Sequence, residues 1–469
     1  MQMRSRHLII LGALLILLIG FISRISFAQN PPPSTSQGRQ STNVLFENVR
    51  IFDGISERLS APSTVLVVGN QIEKISTRPF SIPEENSLTR IDGEGRVLMP
   101  GLIDAHTHLF LESGSVEELI MLGKTSPEKL FQQVGKNATA MLMRGFTSAR
   151  DMAGPVFELQ KAIDRGDVVG PRIWPSGAMI SQTGGHGDFR SLTELPRTAT
   201  SELSLGEKYG IGAIADGVPE VLRRVREQLM MGASQIKLAA GGGVASDYDP
   251  IDVSQYTEAE FEAAVEAAEN WNTYVAVHAY TPRAIQTAIR AGVKCIEHGQ
   301  LMDEETAQIM AENDVWLSIQ PFLDDADANP YPEGSENRAN QLKVAAGTDT
   351  AYNLAKKYNL KTAWGTDTLY STEGAARQGA KLAKLIRWYT SAEVLKMATS
   401  TNAELLALSG PRNPYPGKLG VVEEGALADL LLVDGNPLEN IELIEEPSNN
   451  FVVIMKDGII YKNILSQLN

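Results

Sequence analysis

Met99-Pro100-Gly101-Leu102-Ile103-Asp104-Ala105-His106-Thr107-His108 is an apolar run that ends in two histidines two positions apart. In a strand, residues i and i+2 point to the same face, so both imidazoles can reach one metal ion from the strand's end. The spacing makes a ligand pair and not yet a site. The chain holds only six histidines, and four of them, His106, His108, His278 and His298, fall where apolar strand patterns end.

Beyond His108, helical patterns alternate with short apolar strands. Thr257-Glu258-Ala259-Glu260 is a capping box, and Phe261, Ala264, Val265 and Ala268 then recur at helical spacing. Tyr274-Val275-Ala276-Val277 follows as a strand whose end is His278. Thr281-Pro282 opens another helix, with Ile285, Ala288 and Ile289 on its inner face. The next strand, Val293-Lys294-Cys295-Ile296-Glu297, ends at His298; Asp303 then starts a helix, and Val315-Trp316-Leu317-Ser318-Ile319 is strand again. Further strands are expected at 145–149, 171–176, 234–238 and 360–364. With the strand before His106 these make about eight β/α units, the pattern of a (β/α)8 TIM barrel. The barrel is expected over residues 100–400.

Its flanks have a different texture. Val44-Leu45-Phe46, Val49-Arg50-Ile51, Val65-Leu66-Val67-Val68 and Ile72-Glu73-Lys74-Ile75 are β runs separated by Asp53-Gly54 and Gly69-Asn70 turns, which suggest a small antiparallel sheet. Residues 425–435 and 451–458 return to strands with Asp-Gly turns. Residues 43–99 and 401–469 are therefore expected to pair as one small β-sandwich domain built from both chain ends. At the start, Arg4 and Arg6 precede an apolar run over 8–22 and then Ser26-Phe27-Ala28, the layout of a secretory signal peptide over 1–28. The other reading of that run is an uncut membrane anchor, for which it is short. The Pro/Ser/Gln-rich residues 29–42 are expected to be a disordered linker. A secreted, periplasmic protein follows, with no membrane contact after signal removal.

The chain's 469 residues, 43% of them hydrophobic, can bury a large core. A net charge of -15 without Lys/Arg stripes argues against a nucleic-acid partner. It leaves room for an anionic substrate, which needs one local cation. The single cysteine, Cys295, excludes an internal disulfide and is expected to be a small core residue.

Barrel enzymes carry their chemistry at the carboxyl ends of the strands. His106, His108, Lys237 in Gln235-Ile236-Lys237-Leu238, His278, His298 and Asp367 in Ala363-Trp364-Gly365-Thr366-Asp367 all end expected barrel strands. Imidazole and carboxylate ligands suit zinc and similar ions. An ammonium repels a cation, but a neutral Lys237 amine can take up CO2 to become N6-carboxylysine, an anionic bridge between two metals. Burial beside cations pushes a lysine toward the neutral form that this requires. A second Gly-Thr-Asp triplet ends at Asp349, inside a helical pattern, so Asp367 is preferred as the ligand.

These residues resemble the metal-dependent amidohydrolase superfamily. The resemblance is carried by 100–108, Ile236-Lys237-Leu238, His278, Ile296-Glu297-His298-Gly299, Gly365-Thr366-Asp367 and Ala428-Asp429-Leu430, and spans nearly everything from Asn43 onward. Thr147-Ser148-Ala149-Arg150-Asp151 and 181–188 are most similar to the imidazolonepropionase-like and Xaa-Pro dipeptidase branch, with its carboxypeptidase-like and ochratoxin-hydrolysing members. The resemblance implies two divalent metal ions, zinc being the expected pair. His106, His108 and Asp367 would hold one, His278 and His298 the other, with carboxylated Lys237 bridging. A hydroxide shared by the two metals would attack an amide carbonyl. Asp367 would be the catalytic group, taking the proton and passing it to the leaving amine.

Three residues are candidate substrate contacts. Tyr280 is either a donor to the substrate or an aromatic packed on the rim, and His186 sits in a glycine-rich loop able to approach a ligand. Arg150 either meets a substrate carboxylate or pairs with Asp151. The expected function is hydrolysis of dipeptides or N-acyl amino acids by a protein that is monomeric or homo-oligomeric. The alternatives are a mononuclear cyclic-amide hydrolase of the imidazolonepropionase type and a lactone or phosphotriester hydrolase on the same centre. A catalytically silent binding protein would be expected to lack ligands, and none is missing here.

Overall fold

The structure is a computed structural model that describes residues 43–78, 80, 88–198, 200–246, 248–328 and 330–465. The expected signal peptide and linker lie outside the described residues. Five strands precede the histidine pair: β1 (Asn43–Ile51), β2 (Ser63–Val68), β3 (Gln71–Ser76), β4 (Leu88–Asp92) and β5 (Val97–Pro100). A single glycine, Gly101, separates β5 from β6 (Leu102–Thr107), the strand that delivers His106.

Parallel strands then alternate with helices as the sequence pattern requires. They are β7 (Phe146–Asp151), β8 (Arg172–Pro175), β9 (Met179–Ser181), β10 (Gly212–Ile214), β11 (Ile236–Ala239), β12 (Val275–Ala279), β13 (Cys295–His298), β14 (Trp316–Ile319) and β15 (Thr362–Trp364). They fall in two sheets, β6-β7-β8 and β10-β9-β11-β12-β13-β14-β15. β8 and β9 are the two halves of one barrel strand broken at residues 176–178; the first half pairs with β7 and the second with β11 and β10. Neither the break nor β10 is signalled by the apolar pattern, because both strands beyond it are only three residues long. The expected helix starts are all present: Thr257 caps the helix Glu258–Glu269 in a capping box, Pro282 opens Pro282–Arg290, and the Asp303 side chain accepts from Thr306 N. Each uses a side chain or a proline to deal with N–H groups that the first turn leaves without partners.

The seam between β15 and β6 is closed by side chains. Asn402 Nδ2 donates to Ile103 O at 2.7 Å and to Trp364 O at 2.8 Å, while its Oδ1 accepts from Trp364 N at 3.1 Å. Within the barrel, Ala105, Tyr274, Ala276, Cys295, Trp316 and Ala363 pack as one buried layer, so Cys295 is the core residue expected.

After the barrel, β16 (Leu430–Val433), β17 (Phe451–Lys456) and β18 (Ile459–Asn463) return to the N-terminal strands. All eight flanking strands form one sheet in the order β18-β17-β16-β5-β1-β2-β3, with β4 beside β1. The sheet is mixed: β1 runs parallel to β4 and β5, where the tight turns had suggested antiparallel pairing throughout. Antiparallel β16–β5 joins the two ends of the chain. Along these strands the side chains alternate between two cores, Val97, Met99, Leu431 and Val433 packing with the barrel and Leu98, Leu430 and Leu432 with the sheet's own cluster. The sheet thereby braces the base of β6.

Candidate metal centre

His106 and His108 leave the end of β6 with ring centroids 5.1 Å apart. Asp367 reaches them from the turn after β15. Its N–H donates to His106 O at 2.9 Å, and its Oδ1 lies 3.0 Å from His108 Nε2 and 3.4 Å from His106 Nε2. One donor atom from each of the three lies within 4.8 Å of the other two, a span one cation can bridge. Asp349 is elsewhere, in the helix Glu336–Lys357, where it is paired with Arg387 at 2.7 Å.

Two backbone features allow this approach. Asp104, fully buried, accepts at Oδ1 from His106 N (3.0 Å) and Thr366 N (3.1 Å), and at Oδ2 from Thr366 Oγ1 (2.7 Å) and Gln378 Nε2 (2.8 Å). It clamps the end of the first barrel strand to the end of the last. Gly365 lies so close to β6 that a Cβ there would stand 2.5 Å from His106 N.

His278 and His298 come from β12 and β13, where the register sets Ala279 beside His298. Their ring centroids are 4.6 Å apart, and His298 is 5.1 Å from His106. Glu297 and His298 are sequence neighbours, so a regular strand would send them to opposite faces. A φ of 78° at His298 breaks the alternation and both side chains face the centre. Asp367, with φ of 48°, is also left-handed; such strained residues persist where surrounding contacts over-determine them. Lys237, on β11, is buried and opens on the same cavity as these four histidines and Asp367.

The electrostatics suit metal ligation. Burial pushes His106 down to about 4, with the Lys237 charge acting the same way, and pushes His298 down to about 3 against the pull of Asp367. His278 is held well below its ordinary value by burial, then by His186 and His298. These three imidazoles are neutral at pH 7, the form that donates a lone pair. Burial also lowers Lys237, toward the amine that reacts with CO2. Asp367 is held below the usual carboxylate range: burial opposes its ionisation, but the imidazoles and the His108 hydrogen bond outweigh it. A buried set of neutral imidazoles, one carboxylate and an amine with no ion-pair partner among the described residues fits a divalent metal centre.

Contacts behind the ligands orient them. Glu297 Oε2 lies 2.7 Å from His106 Nδ1, which leaves His106 Nε2 facing Asp367, and Gln320 Oε1 lies 2.7 Å from His298 Nδ1. His278 Nε2 is 3.1 Å from Gly242 O. Glu297 is fully buried; burial alone would raise its pKa, but the Arg150 guanidinium and His106 hold it well below the ordinary carboxylate range. From the sequence, Glu297 falls in an expected strand and beside His298 in the motif 296–299, but carries no role of its own. A charged residue inside an otherwise apolar run that ends at a ligand was the signal available.

The expected substrate contacts part company here. Arg150 is withdrawn from the mouth: it is fully buried inside the barrel, donating to Glu297 Oε1 at 2.7 Å, Ala105 O at 2.6 Å and the Tyr274 hydroxyl at 3.0 Å. Its ionic partner is Glu297 and not Asp151, whose Oδ2 accepts from Leu109 N. A substrate cannot reach it, which corrects both readings of that residue. Tyr280 lines the cavity, its ring stacked on His298 at 5.2 Å, and its hydroxyl has no hydrogen-bond partner among the described residues. His186 also lines the cavity, stacked on His278 at 3.8 Å with its Nδ1 2.9 Å from Ser246 Oγ. It fits because a Cβ on Gly243 would stand 2.0 Å from its ring.

Residues 97–466 match the model of the amidohydrolase family. The chain belongs to this family. The amidohydrolase is 34% identical to ochratoxinase of Aspergillus niger over 394 residues, 78% of this chain and 76% of that one. Among solved structures, it is 35% identical to a prolidase complexed with N-methylphosphonate-L-proline, with a TM-score of 0.80, covering 90% of this chain and 100% of the other. A Xaa-Pro dipeptidase with bound methionine in its active site is 28% identical, with a TM-score of 0.74 and the same coverages, 90% and 100%. The amidohydrolase is thus a hydrolase related to ochratoxinase and the prolidases, with a His-His-Asp candidate metal site at the mouth of its barrel.

Proposed function

We propose that the protein hydrolyses the amide or peptide bond of dipeptides or N-acyl amino acids that carry a free carboxylate. The observation that carries this reading is the convergence of His106, His108, Lys237, His278, His298 and Asp367 on one cavity of about 370 Å³. His106, His108 and Asp367 would hold one divalent ion and His278 and His298 a second, with Lys237 as its N6-carboxy form between them and zinc the preferred metal. Such a pair supplies an acidified water and polarises the amide carbonyl.

The chain's own groups do the rest. Asp367 receives the water's proton on its carboxylate and delivers it to the leaving nitrogen, a base turned acid. The Tyr280 hydroxyl donates to the carbonyl oxygen, and His186 lies beside it on the same wall. Leu111, Met179, Phe189, Phe322 and Leu323 make an apolar lining that favours apolar or aromatic side chains. The relatives that act on ochratoxin and on Xaa-Pro dipeptides, and the bound methionine in one of them, support this substrate class.

The test is a panel of dipeptides and N-acyl amino acids assayed with zinc, after chelation, and after zinc is restored. Cleavage of apolar members, lost on chelation and regained with zinc, is expected. Failure to cleave any member, or undiminished cleavage by the metal-free protein, refutes the reading. From residues 1–28 we further place the mature protein in the periplasm; an intact N-terminus on the protein recovered from the cytoplasmic fraction would overturn that placement.

A further inference from the structure

Besides Lys237, the cavity is lined by three basic side chains, Arg377, Lys381 and Lys384, and they are not equivalent. Lys384 Nζ lies 2.7 Å from Asp325 Oδ1 and 3.0 Å from Asp327 Oδ2. Arg377 Nε lies 2.7 Å from Asp327 Oδ1. Lys381, on the helix Gln378–Ala383, lines the same cavity, and its Nζ donates to Thr368 Oγ1 at 2.6 Å. Thr368 directly follows Asp367. No carboxylate forms an ion pair with Lys381 among the described residues, although Asp104, Asp367 and Asp327 act on it from farther away.

An ammonium has three hydrogens to donate, and the Thr368 hydroxyl takes one. A cation mostly withdrawn from water without an adjacent counter-charge is costly, and the cost falls when an anion is brought to it. Burial pushes Lys381 down to about 8, which leaves it largely cationic at neutral pH. The position therefore offers the cavity a charged donor, hydrogen-bonded to the residue that follows Asp367.

We propose that Lys381 anchors the free carboxylate of the substrate's amino-acid half and so sets the scissile amide against Asp367. This rests on the amide-hydrolase reading above and gives that site its selectivity for acids over capped amides. The competing role is charge balance for Asp104 and Asp367, which would need no ligand.

The experiment compares an N-acyl amino acid with its carboxamide in the wild type, Lys381→Met, Lys381→Gln and Lys381→Arg, each checked by thermal melting. In parallel, binding of 3-phenylpropionate and 3-phenylpropionamide to the metal-free protein is measured by calorimetry. A charge-assisted hydrogen bond predicts that the acid-to-carboxamide ratio of kcat/KM falls about 10- to 100-fold in Lys381→Met and Lys381→Gln. The loss should lie mainly in KM, be largely restored in Lys381→Arg, and be matched by weaker binding of phenylpropionate. A ratio near one in the wild type, or a ratio that survives in whichever neutral variant folds, overturns the proposal. An equal fall for both substrates assigns Lys381 to charge balance and overturns it too. If the wild type cleaves nothing yet binds phenylpropionate through Lys381, the hydrolase reading fails and the anion anchor stands.

Discussion

Glu297→Gln changes one atom, yet the structure makes it a severe substitution. Glu297 Oε1 accepts from Arg150 Nη2 at 2.7 Å and from Cys295 Sγ at 3.1 Å, and Oε2 lies 2.7 Å from His106 Nδ1. Glutamine has one acceptor oxygen for these two directions. If it faces Arg150, the amide N–H meets His106 Nδ1 and drives the ring hydrogen to Nε2, the nitrogen that faces Asp367. If it faces His106, an N–H points at the guanidinium; in either orientation the buried Arg150 cation is left without its counter-charge. Breaking a buried pair in this way costs about 3–5 kcal/mol, and losing the contact behind a metal-ligating histidine costs about 10–100-fold in metal affinity. For a unit of this size each kcal/mol is worth about 1–2 °C, so the metal-free protein should melt about 3–10 °C lower. The sign with pH is fixed: Glu297 sits well below its ordinary 4.5 in the folded state, so its contribution is complete above that value and is lost as pH falls through the folded pKa. The gap between wild type and variant should therefore persist at neutral pH and close only in acid. Melting curves of the metal-free proteins and zinc competition against a chelator measure both quantities. An unchanged melting point together with unchanged zinc affinity would refute the claim that Glu297 ties Arg150 to His106.

Four further substitutions test the choice of aspartate and the seam that carries it. Asp367→Asn should lower kcat by about 10²–10⁴, whereas Asp349→Asn, in the other Gly-Thr-Asp triplet, should leave kcat within about twofold; steady-state kinetics on the pair would expose a wrong choice of aspartate. Gly365→Ala forces a methyl to within 2.5 Å of His106 N, so the ends of β6 and β15 must part; metal content by mass spectrometry should fall below the wild-type stoichiometry, and a fully loaded, fully active variant would contradict the close approach. Asp104→Asn puts an N–H where an oxygen now accepts from Thr366 or Gln378, and leaving such a buried group without its partner costs about 1–3 kcal/mol. A stable variant that retains its metal during dialysis would count against the clamp.

The candidate ligands were legible because barrel chemistry concentrates toward the carboxyl ends of the strands: His106, His108, His278, His298 and Asp367 stand at or just beside such ends, whereas Lys237, expected at a strand end, is the second residue of β11. What could not be read were contacts between strands far apart in the chain. Arg150 and Asp151 are neighbours at the end of β7, and local reasoning paired them. Alternation along the strand instead sends Arg150 inward to Glu297, 147 positions away, and leaves Asp151 to cap Leu109 N. The neighbours Glu297 and His298 escaped for the opposite reason: period-two alternation assigns them to different faces, and only the left-handed backbone at His298 brings both to the centre. Parallel pairing of β1 with β4 and β5 was hidden too, since tight turns report on adjacent strands and say nothing of returns across a longer loop.

His106 and Asp367 stand on the first and last barrel strands, and that placement gives the centre a second consequence. At this seam Asn402 and Asp104 supply side-chain hydrogen bonds and Asp367 N reaches His106 O. A cation shared by His106, His108 and Asp367 would add the strongest bond across the join, since it links residues held there otherwise by a few hydrogen bonds. A ligand that binds only the folded state stabilises it by RT ln(1 + [L]/Kd), about 4 kcal/mol at a thousandfold excess over Kd. With such a cation bound, closure of the barrel and assembly of the centre would be one equilibrium: what loosened the seam would weaken the site, and what filled the site would close the seam.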